Sequence, residues 1–201
     1  MALEKPTLFI FDFDCTITCR HFFGLMMNDD KVNPVDLDDV KMLRPFIVDN
    51  FGRLNASIKE ISKEYQNKLI NYLFGSKERL DWLHQFFQEL SKLPNVQIEI
   101  WTRSYCSQVE NILTKDYIDL QKYFNKIVDR KSFKSKKMFY LDTLLQNYSK
   151  LFIFDDSSEE FSYPYTKGDI FDTYKNVYMY NKLVKESSGL EMDNTILEKL
   201  R

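Results

Sequence analysis

Residues 8–18 read Leu-Phe-Ile-Phe-Asp-Phe-Asp-Cys-Thr-Ile-Thr, an apolar run that ends in two carboxylates, Asp12 and Asp14, with Thr16 two residues further on. So short a run, rich in Ile and Phe, suits a strand buried on both faces of a parallel sheet. Side chains two apart on a strand point the same way, so Asp12 and Asp14 project together if the strand continues through them. Two acids side by side are costly, because like charges a few ångströms apart raise each other's pKa. A hard divalent cation offsets that cost, and a carboxylate can serve as a nucleophile toward phosphorus. The spacing alone is equally that of two solvated acids in a strand-to-loop turn. The rest of the chain decides.

Outward from that stretch the pattern alternates. After a first strand over 7–11 comes a long polar stretch with helical patches, from about 19 to 75. Ser76 can cap a helix running to Leu93, with Leu80, Leu83, Phe86, Phe87 and Leu90 as its apolar stripe. Leu93-Pro94-Asn95 stops it, and Val96–Trp101 is the second strand. Ser104 can cap a helix carrying Val109, Ile112 and Leu113, and Lys126–Asp129 is a weak third strand. Met138, Leu141, Leu144 and Leu145 mark another helix, Leu151–Phe154 a fourth strand, and Asn176–Tyr180 a fifth, with a terminal helix around Asp193–Leu200. This alternation predicts an α/β protein: a Rossmann-like three-layer sandwich around a mainly parallel sheet.

Composition narrows the function classes. With 201 residues the chain fits one core domain bearing one inserted subdomain. A net charge of −2 supplies no global basic field for nucleic acid. Neither a signal peptide nor an apolar run long enough to span a membrane is evident, so a cytoplasmic location is expected. Cys15, Cys19 and Cys106 are odd in number and lack C-x-x-C spacing, against a zinc site or a disulfide framework. Cys15 lies within the acidic turn, so a thiol nucleophile paired with His21 or His84 is a minor alternative.

The polar residues at the carboxyl ends of the strands form a set, at the edge where open α/β sheets bind ligands. Strand one delivers Asp12 and Asp14, strand two Thr102, Arg103 and Ser104, and strand four Asp155 and Asp156. Lys134, Lys136 and Lys137 introduce the helix before strand four.

Here the sequence resembles the haloacid dehalogenase superfamily of aspartate-nucleophile phosphohydrolases. The family's D-x-D-x-T after its first strand is matched by Asp12-Phe-Asp-Cys-Thr16. Its Thr or Ser at the end of an apolar strand is matched by Thr102, its lysine opening a helix by Lys137 (or Lys136), and its acidic pair by Asp155-Asp156. The resemblance implies an Mg²⁺-dependent phosphatase in which Asp12 is the nucleophile and Asp14 the general acid and base. It further implies that Thr102 and Lys137 stabilise the transferring phosphoryl group, and that Thr16, Arg103 and Ser104 contact substrate. Mg²⁺ would be held by Asp12, the Asp14 carbonyl and Asp156, with Asp155 acting through water.

Residues 19–75 are then a helical cap inserted after the first strand, leaving 1–18 and 76–201 as the core domain. The implied substrate is a small phosphorylated molecule, with a phosphoprotein left open. Rival readings are a phosphotransferase or phosphomutase of the same fold, a non-catalytic binding module, and a phosphate-accepting receiver domain. The order of the acids argues against the last.

Overall fold

The structure, a computed structural model, describes residues 4–22, 63–104, 106–113, 118–129, 141–157, 176–179, 184–185, 189–190, 192 and 197–198. Its centre is a five-stranded, all-parallel sheet of β1 (Thr7–Phe11), β2 (Val96–Trp101), β3 (Lys126–Val128), β4 (Lys150–Phe154) and β5 (Val177–Met179), in the order β3-β2-β1-β4-β5. That order is the Rossmann one and not the 2-1-3-4-5 order of receiver domains. The strands lie where the apolar runs put them, within a residue at either end.

Period-two alternation of β1 and β4 feeds two cores. Phe9, Phe11, Phe152 and Phe154 face one side, packed with buried residues of α1 (Lys63–Phe74), α2 (Lys77–Ser91) and α3 (Cys106–Leu113). Leu8, Ile10, Leu151 and Ile153 face the other, against Leu144 and Leu145 of α4 (Leu141–Asn147). Both faces are covered, which gives the expected three layers. Across the strands the rings stack in register: Phe9 on Phe152 at 4.8 Å, Phe152 on Tyr178 at 4.9 Å, and Phe11 on Phe154 at 4.4 Å between centroids. Each such pair contributes about 0.5–1.5 kcal/mol beyond the area it buries.

Helix α2 begins as its sequence indicates, with the Ser76 hydroxyl accepting the Arg79 N–H at 3.2 Å. Helix α1 falls in the stretch read as a cap, yet Leu69, Leu73 and Phe74 are buried in the same core as Phe11 and Leu83. Residues 23–62, the remainder of that stretch, lie outside the described residues, as do Lys134, Lys136 and Lys137. Of the terminal helix, Leu197 and Glu198 are described and helical. Among the described residues no helix is long and apolar enough to cross a membrane.

Two features were not anticipated. A small antiparallel hairpin, β6 (Val184–Lys185) with β7 (Gly189–Leu190), packs on the turn that follows β1. Beneath that turn lies Arg79, only 5% exposed. Its guanidinium donates to the carbonyls of Ile17 (2.9 Å), Thr16 (3.2 Å), Leu190 (3.3 Å) and Phe74 (3.4 Å). Burial pulls its pKa down, but a guanidinium keeps its charge at neutral pH. One side chain therefore ties the β1 turn, the end of α1 and the hairpin together. Gly189 permits the approach: its φ is +65°, and a Cβ there would sit 2.5 Å from Arg79 Nη2 and 2.6 Å from the Thr18 carbonyl.

Arg79→Lys keeps the charge but removes the planar fork, leaving buried carbonyls unpaired. It is expected to cost about 1–3 kcal/mol in urea unfolding. An unchanged midpoint would show that the clamp contributes little.

Candidate functional site

β1 and β4 pair in register, Phe11 opposite Phe154, so the residues that follow emerge side by side. The Asp12 N–H donates to the Phe154 carbonyl at 2.8 Å, carrying the pairing one step past the strand. This is the topological switch point of the sheet, with β2 and β3 continuing to one side and β5 to the other. Asp12 and Asp155 are buried there and Asp156 is exposed. Each of the three offers a carboxylate oxygen, and these oxygens all lie within 4.8 Å of one another. The Ser157 N–H donates to Asp155 Oδ1 at 2.8 Å, a local turn that fixes this carboxylate. An all-oxygen, anionic donor set of this kind fits a hard divalent cation such as Mg²⁺.

Asp14 does not reach the site by strand alternation. The strand stops at Phe11, and Phe13–Ile17 form a tight turn closed by the Thr18 N–H on the Phe13 carbonyl at 3.0 Å. Cys15 carries the bend in a left-handed conformation, φ 60° and ψ 7°, at a cost of about 1–2 kcal/mol for a residue with a Cβ. Its N–H donates to Thr18 Oγ1, which also sits against the carbonyls of Phe13 and Arg20. The turn buries the Asp14 carboxylate between two donors: the Phe22 N–H to Oδ1 at 2.6 Å and the Ser104 hydroxyl to Oδ2 at 2.9 Å.

At the end of β2, Thr102 is buried, its N–H bonded to the Val128 carbonyl and its Oγ1 accepting the Ser104 N–H at 3.0 Å. The Thr102 hydroxyl thus keeps its own hydrogen for another acceptor. Of the three residues read as substrate contacts, Arg103 is exposed, whereas Thr16 and Ser104 are fully buried. Thr16 Oγ1 has no hydrogen-bond partner among the described residues, and the Thr16 carbonyl is held by Arg79. The Ser104 hydroxyl, read as a helix cap or substrate contact, is given to Asp14. Lys137 lies outside the described residues.

No protein-family model matches the chain, and no curated protein does. Solved structures do match. The HAD domain of effector protein Lem4 from Legionella pneumophila, as an inactive mutant, aligns with a TM-score of 0.51 at 15% identity, covering 98% of this chain and 93% of that one. The fold is that of the haloacid dehalogenase superfamily. Legionella pneumophila effector Ceg4, carrying an N-terminal yeast Hog1p sequence, aligns over 100% and 96% of the two chains at 15% identity and TM-score 0.48. A phosphoserine phosphatase in its apo form aligns over 98% of each chain at 12% identity and TM-score 0.46. At these identities the likeness is one of fold alone.

Within this haloacid dehalogenase fold, Cys15 is the nearest competitor to the acids as a nucleophile. Burial, followed by the charges of Asp156, Asp14 and Asp12, pushes its thiol pKa far up. The thiolate is the reactive form, so burial and the neighbouring acids disfavour this thiol as a nucleophile. At pH 8, Cys15 in the native protein is expected to alkylate with iodoacetamide at least about 10-fold more slowly than a free cysteine. Full reactivity should appear on unfolding, as read by peptide mass mapping. Rapid native labelling would put the thiol back among the candidate nucleophiles.

Proposed function

We propose that the protein is a Mg²⁺-dependent phosphatase that hydrolyses a phosphate monoester through an aspartyl-phosphate. The observation that carries this reading is the convergence of Asp12, Asp155 and Asp156 within 4.8 Å at the switch point; Asp14, two residues after Asp12, is fixed by the Phe22 N–H and the Ser104 hydroxyl. In this reading a carboxylate oxygen of Asp12 attacks phosphorus as the bond to the leaving oxygen breaks. Asp14 gives that oxygen a proton, then takes one from the water that attacks the phospho-aspartate. The second step breaks the acyl phosphate, releases phosphate and restores the Asp12 carboxylate. Thr102 donates its free hydroxyl hydrogen to a phosphoryl oxygen, the exposed Arg103 contacts substrate, and Lys137 balances the charge of Asp12 and phosphate.

Asp12, the Asp14 carbonyl and Asp156 would hold Mg²⁺, with Asp155 acting through water; the ion would supply positive charge against the phosphoryl oxygens. Residues 19–75 form the cap in this proposal, its last part, α1, being built into the main core. The substrate is proposed to be a small phosphorylated molecule and the compartment the cytoplasm.

Asp12→Asn removes the nucleophile while nearly preserving its shape. Turnover of an aryl phosphate should fall by roughly 10⁴-fold or more, about 5.5 kcal/mol of transition-state stabilisation. Near-normal turnover in this variant would sink the aspartyl-phosphate route.

A further prediction needs no turnover. The clustered carboxylates repel one another without a cation, so Mg²⁺ should raise the melting temperature of the wild type. Asp156→Ala should abolish that rise and Asp155→Ala weaken it less. A full rise in the Asp156 variant would reject its assignment as a direct ligand.

A further inference from the structure

The hydrogen bond between Ser104 and Asp14 joins two segments 90 residues apart, at the carboxyl ends of β1 and β2. Both side chains are buried: Ser104 has no exposed surface and Asp14 is 8% exposed. A carboxylate on a tight turn has rotamers to choose from, and the hydroxyl selects one. The same residue fixes Thr102 through its main chain, since the Ser104 N–H donates to Thr102 Oγ1 at 3.0 Å. Position 104 therefore sets both the group that would bind phosphoryl oxygen and the group that would handle the leaving oxygen's proton. The Phe22 N–H, 2.6 Å from Oδ1, holds the other side of the carboxylate.

We infer that Ser104 is a positioning residue for the general acid: its hydroxyl aims Asp14 at the leaving-group oxygen, and it contacts no substrate itself. The inference rests on the phosphatase reading for the role of Asp14. A serine that bound substrate would present its hydroxyl to the open site, and this one is buried and already engaged. Its effect depends on how much the leaving group needs a proton. An alkoxide must be protonated as it departs, whereas a strongly acidic phenolate leaves unaided.

The test is a series of kcat/KM values for phosphate monoesters of graded leaving-group pKa, from a dinitrophenyl phosphate to a simple alkyl phosphate. kcat/KM isolates the first phosphoryl transfer and excludes later hydrolysis of the phospho-aspartate. Ser104→Ala should stay within about 3-fold of wild type on the dinitrophenyl ester and lose about 30-fold or more on the alkyl ester, a part of the roughly 10²–10⁴ that a positioned acid supplies. In an Asp14→Asn background, Ser104→Ala should change the alkyl-to-aryl ratio no further, because the two act as one unit. A loss of equal size across the series, or no loss at all, would overturn the inference, as would additive losses in the double variant. A crystal structure of Ser104→Ala decides the point without turnover. A carboxylate of Asp14 displaced from its Phe22-bonded position supports the inference, and one left in place overturns it. If the wild type's activity survives Asp12→Asn, it is the phosphatase reading that fails, and the crystallographic result still settles whether Ser104 positions Asp14.

Discussion

The in-register parallel pairing of β1 with β4 is the constraint on which the site depends. Phe11 opposes Phe154, and their stacked rings lock the register from the core side. A slip of one residue would send the phenylalanines to the face now filled by Leu8, Ile10, Leu151 and Ile153. Register is therefore specified by packing, and with the Asp12 N–H bonded to the Phe154 carbonyl it brings Asp12 next to Asp155 and Asp156. The core supplies the binding free energy that holds like charges together. The acids then moderate their own cost locally: Asp155 takes the Ser157 N–H, and Asp14 takes the Phe22 N–H and the Ser104 hydroxyl. Clustered negative charge of this kind would favour a hard cation between the acids.

Below the acids the structure places the opposite arrangement, a buried cation bonded to carbonyls. Arg79 binds the carbonyls of Thr16 and Ile17 from underneath, while Thr18 knits Cys15, Phe13 and Arg20 from within the turn. This explains why a cysteine can persist at φ 60°. Strained backbone survives where its surroundings over-determine it, and here the hairpin, α2 and the turn's own bonds all do so. Gly189 is a precondition for that packing, because any side chain would collide with the guanidinium.

The sheet was legible in the sequence because parallel strands covered on both faces appear as unbroken apolar runs. Leu8–Phe11 and Leu151–Phe154 are such runs and need no tertiary information to be found, and the acids that end them come with the strands; Val96–Trp101 alternates instead, with Gln97 and Glu99 between its apolar residues. Legibility ended where period-two reasoning was carried past the strand. Asp14 is placed by a turn whose shape depends on Cys15 adopting a conformation that no cysteine favours. The role of Ser104 was hidden because its partner is far away in sequence, and a serine before a helix equally reads as a cap. The hairpin strands are two residues each, too short to carry any period. Arg79 did leave a signal. Counting along α2, it is four residues before Leu83, seven before Phe86 and eleven before Leu90, squarely on the buried stripe. An arginine in that register is either an error of assignment or a buried clamp.

The same turn is where the stretch between β1 and α2, read from the sequence as an insertion, is anchored at both ends. Its outgoing end is bonded through the Phe22 N–H to Asp14, and its returning end through the Phe74 carbonyl to Arg79. The Cys19 N–H donates to the Leu73 carbonyl at 2.5 Å, tying the two ends to each other. Both chain ends of the insertion therefore share hydrogen-bond partners with the turn that carries Asp14. Ser104, in the bend after β2, is the counterweight that keeps this carboxylate registered to the sheet. Asp14 thus lies between a contact belonging to the insertion and one belonging to the core, and its orientation reports on both.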